Sequence, residues 1–510
     1  MRRSESQRSV FSSRVPRLAT VAVVAALTQP LAGCFLPNDI IPAAISMPPA
    51  YRAGPRHADA ALPSVVWWRG FGSKELTALI EEALTSNFDV AAAVARIVQA
   101  DANSRVAGAA LLPIVDLNGS ATRQRASQSG GGGVVGSSGV VAGGGSGRSE
   151  RVAYSTSLSA SYEIDFWGKN RAALRAAEEL AVASRYDREV VALTTVVTVA
   201  NSYFLVLEAN DRLRLARNNL AAATRVYNLI KQRFDVGTAS ALDTAQQESL
   251  VNTIRAAIPV LEQVLRQNIV TLAVLIGRTP EAVKIRGGSM SWLRIPPVTP
   301  GLPSDLITQR PDIREAEAQL ASANANVYSA RAAFLPSIQL TGEGGYQSAI
   351  LKTLLRPESA FYNIAAGLTQ PIFDGLRLQG LLDFQKGRQD ELLQLYRKAI
   401  VNGFADVERA LIAVQLTAQR ERLQRDVVTS SQKAFDISET RLREGTIDQV
   451  TLLNTQQTLF QAQDVLAQAQ FDRLVAVVSL FQALGGGWQK PPPEQKPDRL
   501  AQASEGPLKR

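Results

Sequence analysis

The chain has 510 residues and a formal net charge of +9, with 20% charged and 6% aromatic residues. His57 is its only histidine and Cys34 its only cysteine, which leaves few residues for metal sites or histidine-based catalysis. Arginines in the first 33 residues supply much of the excess charge, so the rest is too weakly basic to predict a nucleic-acid partner. Because no nucleophile, base and metal-ligand constellation is visible, the sequence predicts neither an enzyme nor a bound cofactor.

Residues 1–33 have the pattern of a signal peptide. Arginines precede an apolar run from Leu18 to Leu27, and Leu31-Ala32-Gly33-Cys34 follows. These four residues resemble a bacterial lipobox, which implies that Cys34 becomes the N-terminus and carries a diacylglycerol and an N-acyl chain. The alternative is an ordinary signal peptide with an incidental cysteine. Residues 34–66 are rich in proline and predict an extended tether.

The folded part is expected to begin at Trp67 with a helix over about 74–112 and two strands over about 114–123 and 152–167. In the second strand, apolar side chains such as Tyr154 and Leu158 alternate with serines and acids. A soluble sandwich strand can alternate in this way, but a barrel strand with one face toward lipid and one toward a wet lumen predicts the pattern better. The glycine-rich segment 130–147 between the strands is expected to be a loop outside the cell.

A joint of helix, proline and strand occurs twice. Residues 110–119 (ALLPIVDLNG) match residues 333–342 (AFLPSIQLTG), 223 positions later. The duplication predicts two structural repeats, each of helix, strand, strand, long helix and helix. Their expected bounds are 67–288 for the first repeat, 289–302 for a linker, 303–488 for the second repeat with strands over about 337–346 and 361–372, and 489–510 for a disordered tail.

Each pair of strands is followed by a long helix, over about 170–233 and 379–443. At 1.5 Å per residue the first spans roughly 95 Å, and apolar residues spaced by 4 and 3 indicate coiled-coil packing. A rival interpretation is a transmembrane helix at Val190–Leu207, which carries no charge. Its Thr, Asn and Ser side chains, and charges at the corresponding site of the second repeat, favour the coiled coil. Pro259 lies inside the shorter helix that follows the first long helix, and it is expected to kink that helix.

Four strands in one chain cannot close into a barrel. An open sheet edge in lipid leaves backbone groups unpaired at a cost of several kcal/mol each, so closure needs further copies of the chain. A channel also needs more than about eight strands. The strand count therefore predicts an oligomer.

Residues Arg310–Tyr346, with RPDIREAEAQL and ANANVYSARAAFLPSIQLTGEGGY, closely resemble the signature of the outer-membrane efflux proteins, the TolC-like channels. The resemblance extends from about Trp67 to Trp488 and is closest to the lipoprotein branch. It implies a mainly α fold with a transmembrane β-barrel: a homotrimer whose 12-stranded barrel stands on a long coiled-coil helical tube.

The resemblance also implies the function and the partners. The protein would be a passive, lipid-anchored exit channel of the outer membrane with a long periplasmic extension. A periplasmic adaptor protein and an inner-membrane pump, of the RND type, would complete a tripartite system that expels small toxic compounds or drugs. A duct for protein secretion and a non-conducting coiled-coil lipoprotein scaffold are the alternatives.

Each long helix ends in the motif Arg-x-x-x-Gly-Thr, with tip turns expected over 234–241 and 444–449. Glycine at a helix C-terminus supports the left-handed conformation that reverses the chain. The resemblance implies that these turns form the periplasmic entrance and the edge on which the adaptor docks, through Gly237, Thr238, Gly445 and Thr446.

Gate positions are carried over from the family one at a time. The gate acid falls on Asp243, which matches, and the alternative is that Asp243 only caps a helix. Elsewhere this sequence departs from the family: Leu442 and Ile447 replace an aromatic and a basic partner, Thr451 and Asn454 replace an acid ring, and Val450 occupies a hydrophobic ring. These departures argue against a strongly cation-attracting gate and leave Asp448 as a substitute acid.

Overall fold

The structure is a computed structural model that describes residues 51–52, 64–125, 150–298 and 307–488. The signal peptide, Cys34, most of the tether, the glycine-rich loop and the tail lie outside the described residues. Predictions that concern them therefore stay predictions.

The described residues contain seven α-helices and four β-strands. In chain order they are α1 (Lys74–Ser86), α2 (Phe88–Ala109), β1 (Ile114–Arg125), β2 (Glu150–Ile164), α3 (Lys169–Asp235), α4 (Ala241–Leu275), α5 (Pro311–Ala332), β3 (Ser337–Ser348), β4 (Ala360–Thr369), α6 (Arg377–Arg443) and α7 (Gln449–Ala483). The two long helices, α3 and α6, each have 67 residues, which corresponds to about 100 Å. The chain divides into two compact units: one holds Ala107–Leu174 and Asn324–Gly387, and the other holds the remaining described residues, which are mostly helical.

The four strands form one antiparallel sheet in the order β1-β2-β3-β4. The register aligns apolar side chains across all four strands: Leu117 pairs with Leu158, Tyr162 pairs with Leu340, and Leu340 pairs with Ala366. The opposite face is polar, and Asn118 there donates a hydrogen bond to Ser159 at 3.1 Å. The two-faced pattern expected from the sequence is therefore present in the whole sheet.

The single helix expected over 74–112 is wrong, because the chain breaks at Asn87. Asn87 has an extended backbone, and its side-chain Oδ1 accepts hydrogen bonds from the backbone N–H groups of Asp89 at 2.8 Å and Val90 at 3.1 Å. The side chain thus caps the start of α2. Helix α2 then ends at Ala109, three residues before the expected end.

Strand ends also differ from those expected. β2 stops at Ile164 rather than 167, since the Asp165 carboxylate accepts hydrogen bonds from the backbone N–H groups of Asn170 and Arg171, both at 2.9 Å. β4 stops at Thr369 rather than 372, near Pro371, which has no N–H for a ladder. β2 and β4 therefore end where a local side chain or ring prevents further pairing, whereas β1 and β3 each run two residues past the expected end, to Arg125 and Ser348.

The core of the helical unit is built around aromatic side chains. Phe71 and Phe204 are fully buried with ring centroids 5.2 Å apart, and Trp67 stacks on Phe481 at 4.8 Å. Two described helices, α3 and α4, are long and apolar enough to cross a membrane by length and composition alone. In α3 most of that stretch is buried inside the unit, as expected of a core helix, whereas in α4 little of it is.

The two repeats share a tight joint in the helical unit. Gly277 follows α4 and Gly485 follows α7, with φ of +72° and +82°. A Cβ atom on Gly277 would overlap the carbonyl oxygen of Ser86, and one on Gly485 would overlap that of Gln309. Glycine is therefore required twice at equivalent places.

The side chains that complete this joint differ between the repeats. In the first repeat, Asn87 donates to the Leu275 carbonyl at the end of α4, at 2.8 Å. In the second, Arg310 donates to the Ala483 carbonyl at the end of α7, at 3.2 Å. Arg310 also forms ion pairs with Asp312 and Asp406. One backbone geometry is thus held by a neutral amide in one repeat and a charged cluster in the other.

Candidate functional site

The two tip turns have nearly the same hydrogen bonds. Gly237 and Gly445 have φ of +78° and +74°, and each N–H donates to the carbonyl three residues earlier, at 2.9 and 3.0 Å. Thr238 N–H donates to the Arg233 carbonyl at 2.8 Å, and Thr446 N–H to that of Arg441 at 2.9 Å. This is the bonding expected where a left-handed glycine closes a helix. The sequence motif therefore predicts the shape of both turns.

Different caps start the two returning helices. At α4, Ser240 and Asp243 form a reciprocal capping box, in which Asp243 accepts from the Ser240 backbone N–H at 2.9 Å. At α7, the Asp448 carboxylate accepts from the backbone N–H of Thr451 at 2.7 Å, and this hydrogen bond holds the pKa of Asp448 below its usual value. Both acids thus stabilise helix starts. A gate role for Asp243 stays a prediction.

The structure separates the candidate gate residues into two groups. Leu442 is buried at 4% exposure, and Ile447 packs on the same apolar cluster at the ends of α3, α6 and α7. In contrast, Val450, Thr451 and Asn454 are exposed along one face of α7. The face of α7 that these three residues share carries no charge.

Arg233 joins the two tip turns, a contact that the sequence analysis missed. Its guanidinium Nη1 donates to the Leu442 carbonyl oxygen at 3.0 Å, at the C-terminal end of α6. The arginine is visible in the Arg-x-x-x-Gly-Thr motif, but its acceptor lies on the other repeat and is not. This hydrogen bond therefore joins the tip turns of the first and second repeats within one chain.

Three buried glutamines lie behind the exposed face of α7. Gln449 donates to Gln247 at 3.2 Å, and Gln247 donates to Gln456 at 3.1 Å and to the Ala223 carbonyl at 3.2 Å. The chain of amides connects α3, α4 and α7 inside an apolar cluster. Polar groups in such a position specify one helix register at some cost in stability. Their seven-residue spacing on α7 was a signal available in the sequence.

A cleft with a volume of about 520 Å³ lies at the start of α1 in the helical unit. There the Glu75 carboxylate accepts hydrogen bonds from the Tyr203 hydroxyl and from the backbone N–H groups of Arg286 and Gly287. Burial raises the pKa of Tyr203 to about 12. Because Glu75 is fully engaged in holding the segment after α4, this cleft is a structural joint.

Comparison with known proteins agrees with this architecture. The family described as outer membrane efflux protein matches residues 79–278 and 302–486. The pyoverdine export outer membrane protein OpmQ of Pseudomonas aeruginosa is 42% identical over 426 residues, 83% of this chain and 87% of that protein. The toluene efflux pump outer membrane protein TtgC of Pseudomonas putida is 32% identical, over 92% of this chain and 96% of that protein.

Solved structures show the same fold. A membrane protein from Pseudomonas aeruginosa superposes with a TM-score of 0.77 at 29% identity, covering 87% of this chain and 97% of that structure. The CmeC outer membrane channel of Campylobacter jejuni superposes with a TM-score of 0.80 at 23% identity, covering 89% and 95%.

A sheet with one apolar and one polar face, together with long paired helices, defines the class of outer-membrane channel proteins. The chain belongs to the outer membrane efflux protein family, and its place is the outer membrane.

Proposed function

We propose that the protein is the passive exit duct of a tripartite efflux pump and works as a homotrimer. A periplasmic adaptor would dock on the tip turns, and an inner-membrane pump of the RND type would supply the energy. Acyl chains on Cys34 would add a lipid anchor. The cargo would be small organic molecules rather than proteins.

The free edges of the sheet are the observation that carries this proposal. Among the described strands, β1 pairs only with β2 and β4 pairs only with β3. Both edge strands expose apolar side chains: Leu117 is 77% and Ile364 is 82% exposed. An edge of this kind is stable in lipid only when it is paired. Three copies of a four-stranded sheet give 12 strands, enough to enclose a lumen.

Helix α4 supports contact with another copy. It is buried only near its two ends, at Gln247–Val251 and Leu272–Ala273, while Val260 and Val274 are 60% and 62% exposed. Helix α7 has the same length and buries residues along its whole length. An apolar helix face of this extent needs a partner, and a neighbouring protomer of the same duct would cover it.

The lining that faces a solute supports a duct with little selectivity by charge. The polar face of the sheet carries hydroxyl pairs such as Ser120 and Ser155, whose oxygens are 2.8 Å apart. At the tip, the exposed face of α7 presents Thr451 and Asn454 without a charge. The names of the relatives, which include pyoverdine and toluene, support small organic cargo. A pyoverdine-like secreted compound is therefore the first cargo to test.

The first test is single-channel conductance in a planar bilayer, with the mass of the detergent-extracted protein measured in parallel. Discrete current steps from a particle of three protomers are expected. A trimer that stays silent would be retested with Val450→Ala and Asn454→Ala, which widen the tip. If those variants are also silent, or if the protein is monomeric, the duct is refuted.

The lipid anchor has its own test. Cys34→Ser is expected to lose metabolic labelling with fatty acid and still to form the trimer, because the barrel is held in the bilayer by its apolar face. Labelling that persists in the variant would overturn the assignment of Cys34.

A further inference from the structure

The hydrogen bond between Arg233 and the Leu442 carbonyl joins two residues whose equivalents in the other repeat are not bonded to each other. When the two tip motifs are aligned on Gly237 and Gly445, which both have positive φ, Arg233 corresponds to Arg441 and Phe234 corresponds to Leu442. The first pair is bonded within the protomer. The second pair, Arg441 with the Phe234 carbonyl, is not.

The carbonyl groups of Phe234 and Leu442 are equivalent because each accepts the same hydrogen bond within its own tip turn. The Phe234 carbonyl accepts from the N–H of Gly237 at 2.9 Å, and the Leu442 carbonyl accepts from the N–H of Gly445 at 3.0 Å. Each is thus an acceptor at the last turn of a long helix with room for a second donor. Only the Leu442 carbonyl has that donor in the protomer, namely Arg233.

The residues of the bonded pair are also more buried than their equivalents in the unbonded pair. Leu442 is 4% exposed, whereas its counterpart Phe234 is 43% exposed. Arg233 is half-buried against the other repeat, whereas Arg441 is exposed. Within the part of the chain that the structure describes, no hydrogen-bond or ion-pair partner of the Arg441 guanidinium is found. The donor and the acceptor of the second pair are therefore both open.

We propose that Arg441 of one protomer donates to the Phe234 carbonyl of the next, forming a latch between copies at the tip. This inference rests on the proposed closed trimer, because first and second repeats alternate around such a ring. The contact that joins repeat one to repeat two inside a chain then recurs between chains. A cation at the C-terminal end of a helix also meets the negative end of the helix dipole.

Thiol cross-linking tests the latch with a control that the repeat supplies. In a Cys34→Ser background, introduced cysteines are the only thiols in the chain. Asp235→Cys with Arg441→Cys places thiols on the two sides of the proposed contact. The control, Arg233→Cys with Arg443→Cys, places them at the corresponding positions of the contact within the protomer. Both variants are treated as extracted full-length protein with a short bis-maleimide.

The expected result is a set of denatured bands at twice and three times the protomer mass for the 235/441 pair. The 233/443 pair should lose both free thiols and remain at the protomer mass. If the native particle is a trimer and the 235/441 pair stays at protomer mass while the control reacts, the latch is wrong and the duct stands. If the native particle is a monomer, the proposed function itself fails.

A second measurement needs no cross-linker and probes the hydrogen bond itself. Hydrogen exchange at the tip turns is compared for Arg441→Ala and Arg233→Ala in the intact trimer. Loss of a hydrogen bond from a charged group should speed exchange at the turn after α3 about tenfold in Arg441→Ala. Arg233→Ala should do the same at the turn after α6. Unchanged exchange in Arg441→Ala, beside an effect in Arg233→Ala, would overturn the proposal.

Discussion

At the scale of single residues, the glycines after α4 and α7 differ sharply from those of the tip turns. All four have positive φ, but only Gly277 and Gly485 face a backbone carbonyl where a Cβ atom would sit. Gly277→Ala or Gly485→Ala should therefore lower the free energy of unfolding by about 3 kcal/mol or more, combining backbone strain with overlap. Thermal and denaturant unfolding of the extracted protein measure this loss.

The tip glycines provide the matched control. Gly237 and Gly445 have open space around the position of a Cβ atom, so alanine there should cost only about 1–2 kcal/mol of left-handed strain. If alanine lowered the free energy of unfolding equally at the tip glycines and at Gly277 and Gly485, the overlap with the backbone carbonyls would be contradicted.

Glu315 on α5 gives the helical unit a pH dependence. Burial, and then the carboxylates of Asp187 and Asp312, raise the pKa of Glu315 to about 7. Since this pKa lies above the usual value of 4.5, the side chain stabilises the fold at low pH, and that stability is lost as pH rises through 7. Glu315→Gln keeps an acceptor for Gln319, which donates to Glu315 at 2.9 Å.

Glu315→Gln is therefore expected to raise the unfolding midpoint at about pH 8 and to leave it nearly unchanged at about pH 5. The gain should be about 1 kcal/mol, a discounted figure because the carboxyl is only partly buried. Glu317→Gln, which removes a carboxylate from the same helix, is the matched variant for comparison. A higher unfolding midpoint for Glu315→Gln at about pH 5 but not at about pH 8 would contradict a raised pKa of Glu315.

At the scale of elements, the boundary between α1 and α2 depends on one side chain. Asn87 both caps α2 and donates to the carbonyl at the end of α4. Asn87→Ala should cost about 1–2 kcal/mol for the cap and a similar amount for the buried hydrogen bond. Asn87→Asp should recover the cap alone. An unfolding midpoint for Asn87→Asp equal to that of the unchanged protein would remove the second contribution, and equal midpoints for Asn87→Ala and Asn87→Asp would remove the first.

The sequence predicted the elements better than their ends. A period of two over many residues is enough to predict both faces of β2, and the heptad spacing of α3 and α6 predicts their great length. The break at Asn87 is not predicted, because one of the contacts that stabilise it is made with Leu275, far away in sequence. The tip turns were predicted because their glycines act locally, whereas the contact of Arg233 with the other repeat was not.

At the scale of the whole molecule, the two faces of β4 should respond differently to charge. Ile364 lies on the apolar face, 82% exposed, and Asn363 lies on the opposite face. In the proposed barrel, Ile364→Lys would put a charge against lipid, at about 2–4 kcal/mol per protomer near the midplane, and Asn363→Lys would put it in the lumen. The yield of trimer extracted from the membrane should fall steeply for Ile364→Lys only. Equal yields would contradict the assignment of the faces.

The uneven burial of α4 and α7 has a consequence for biogenesis. Pro259 of α4 is exposed, whereas its counterpart in α7, Ala467, is buried. Helix α7 therefore completes its packing within one chain, and α4 does not. In the proposed trimer, maturation would then become a reaction between molecules, slower on dilution and quicker when synthesis is abundant. Newly exported chains would pass through an interval in which α4 is open to proteases. The lifetime of that interval, rather than the strength of the finished channel, would set how much of it the cell accumulates.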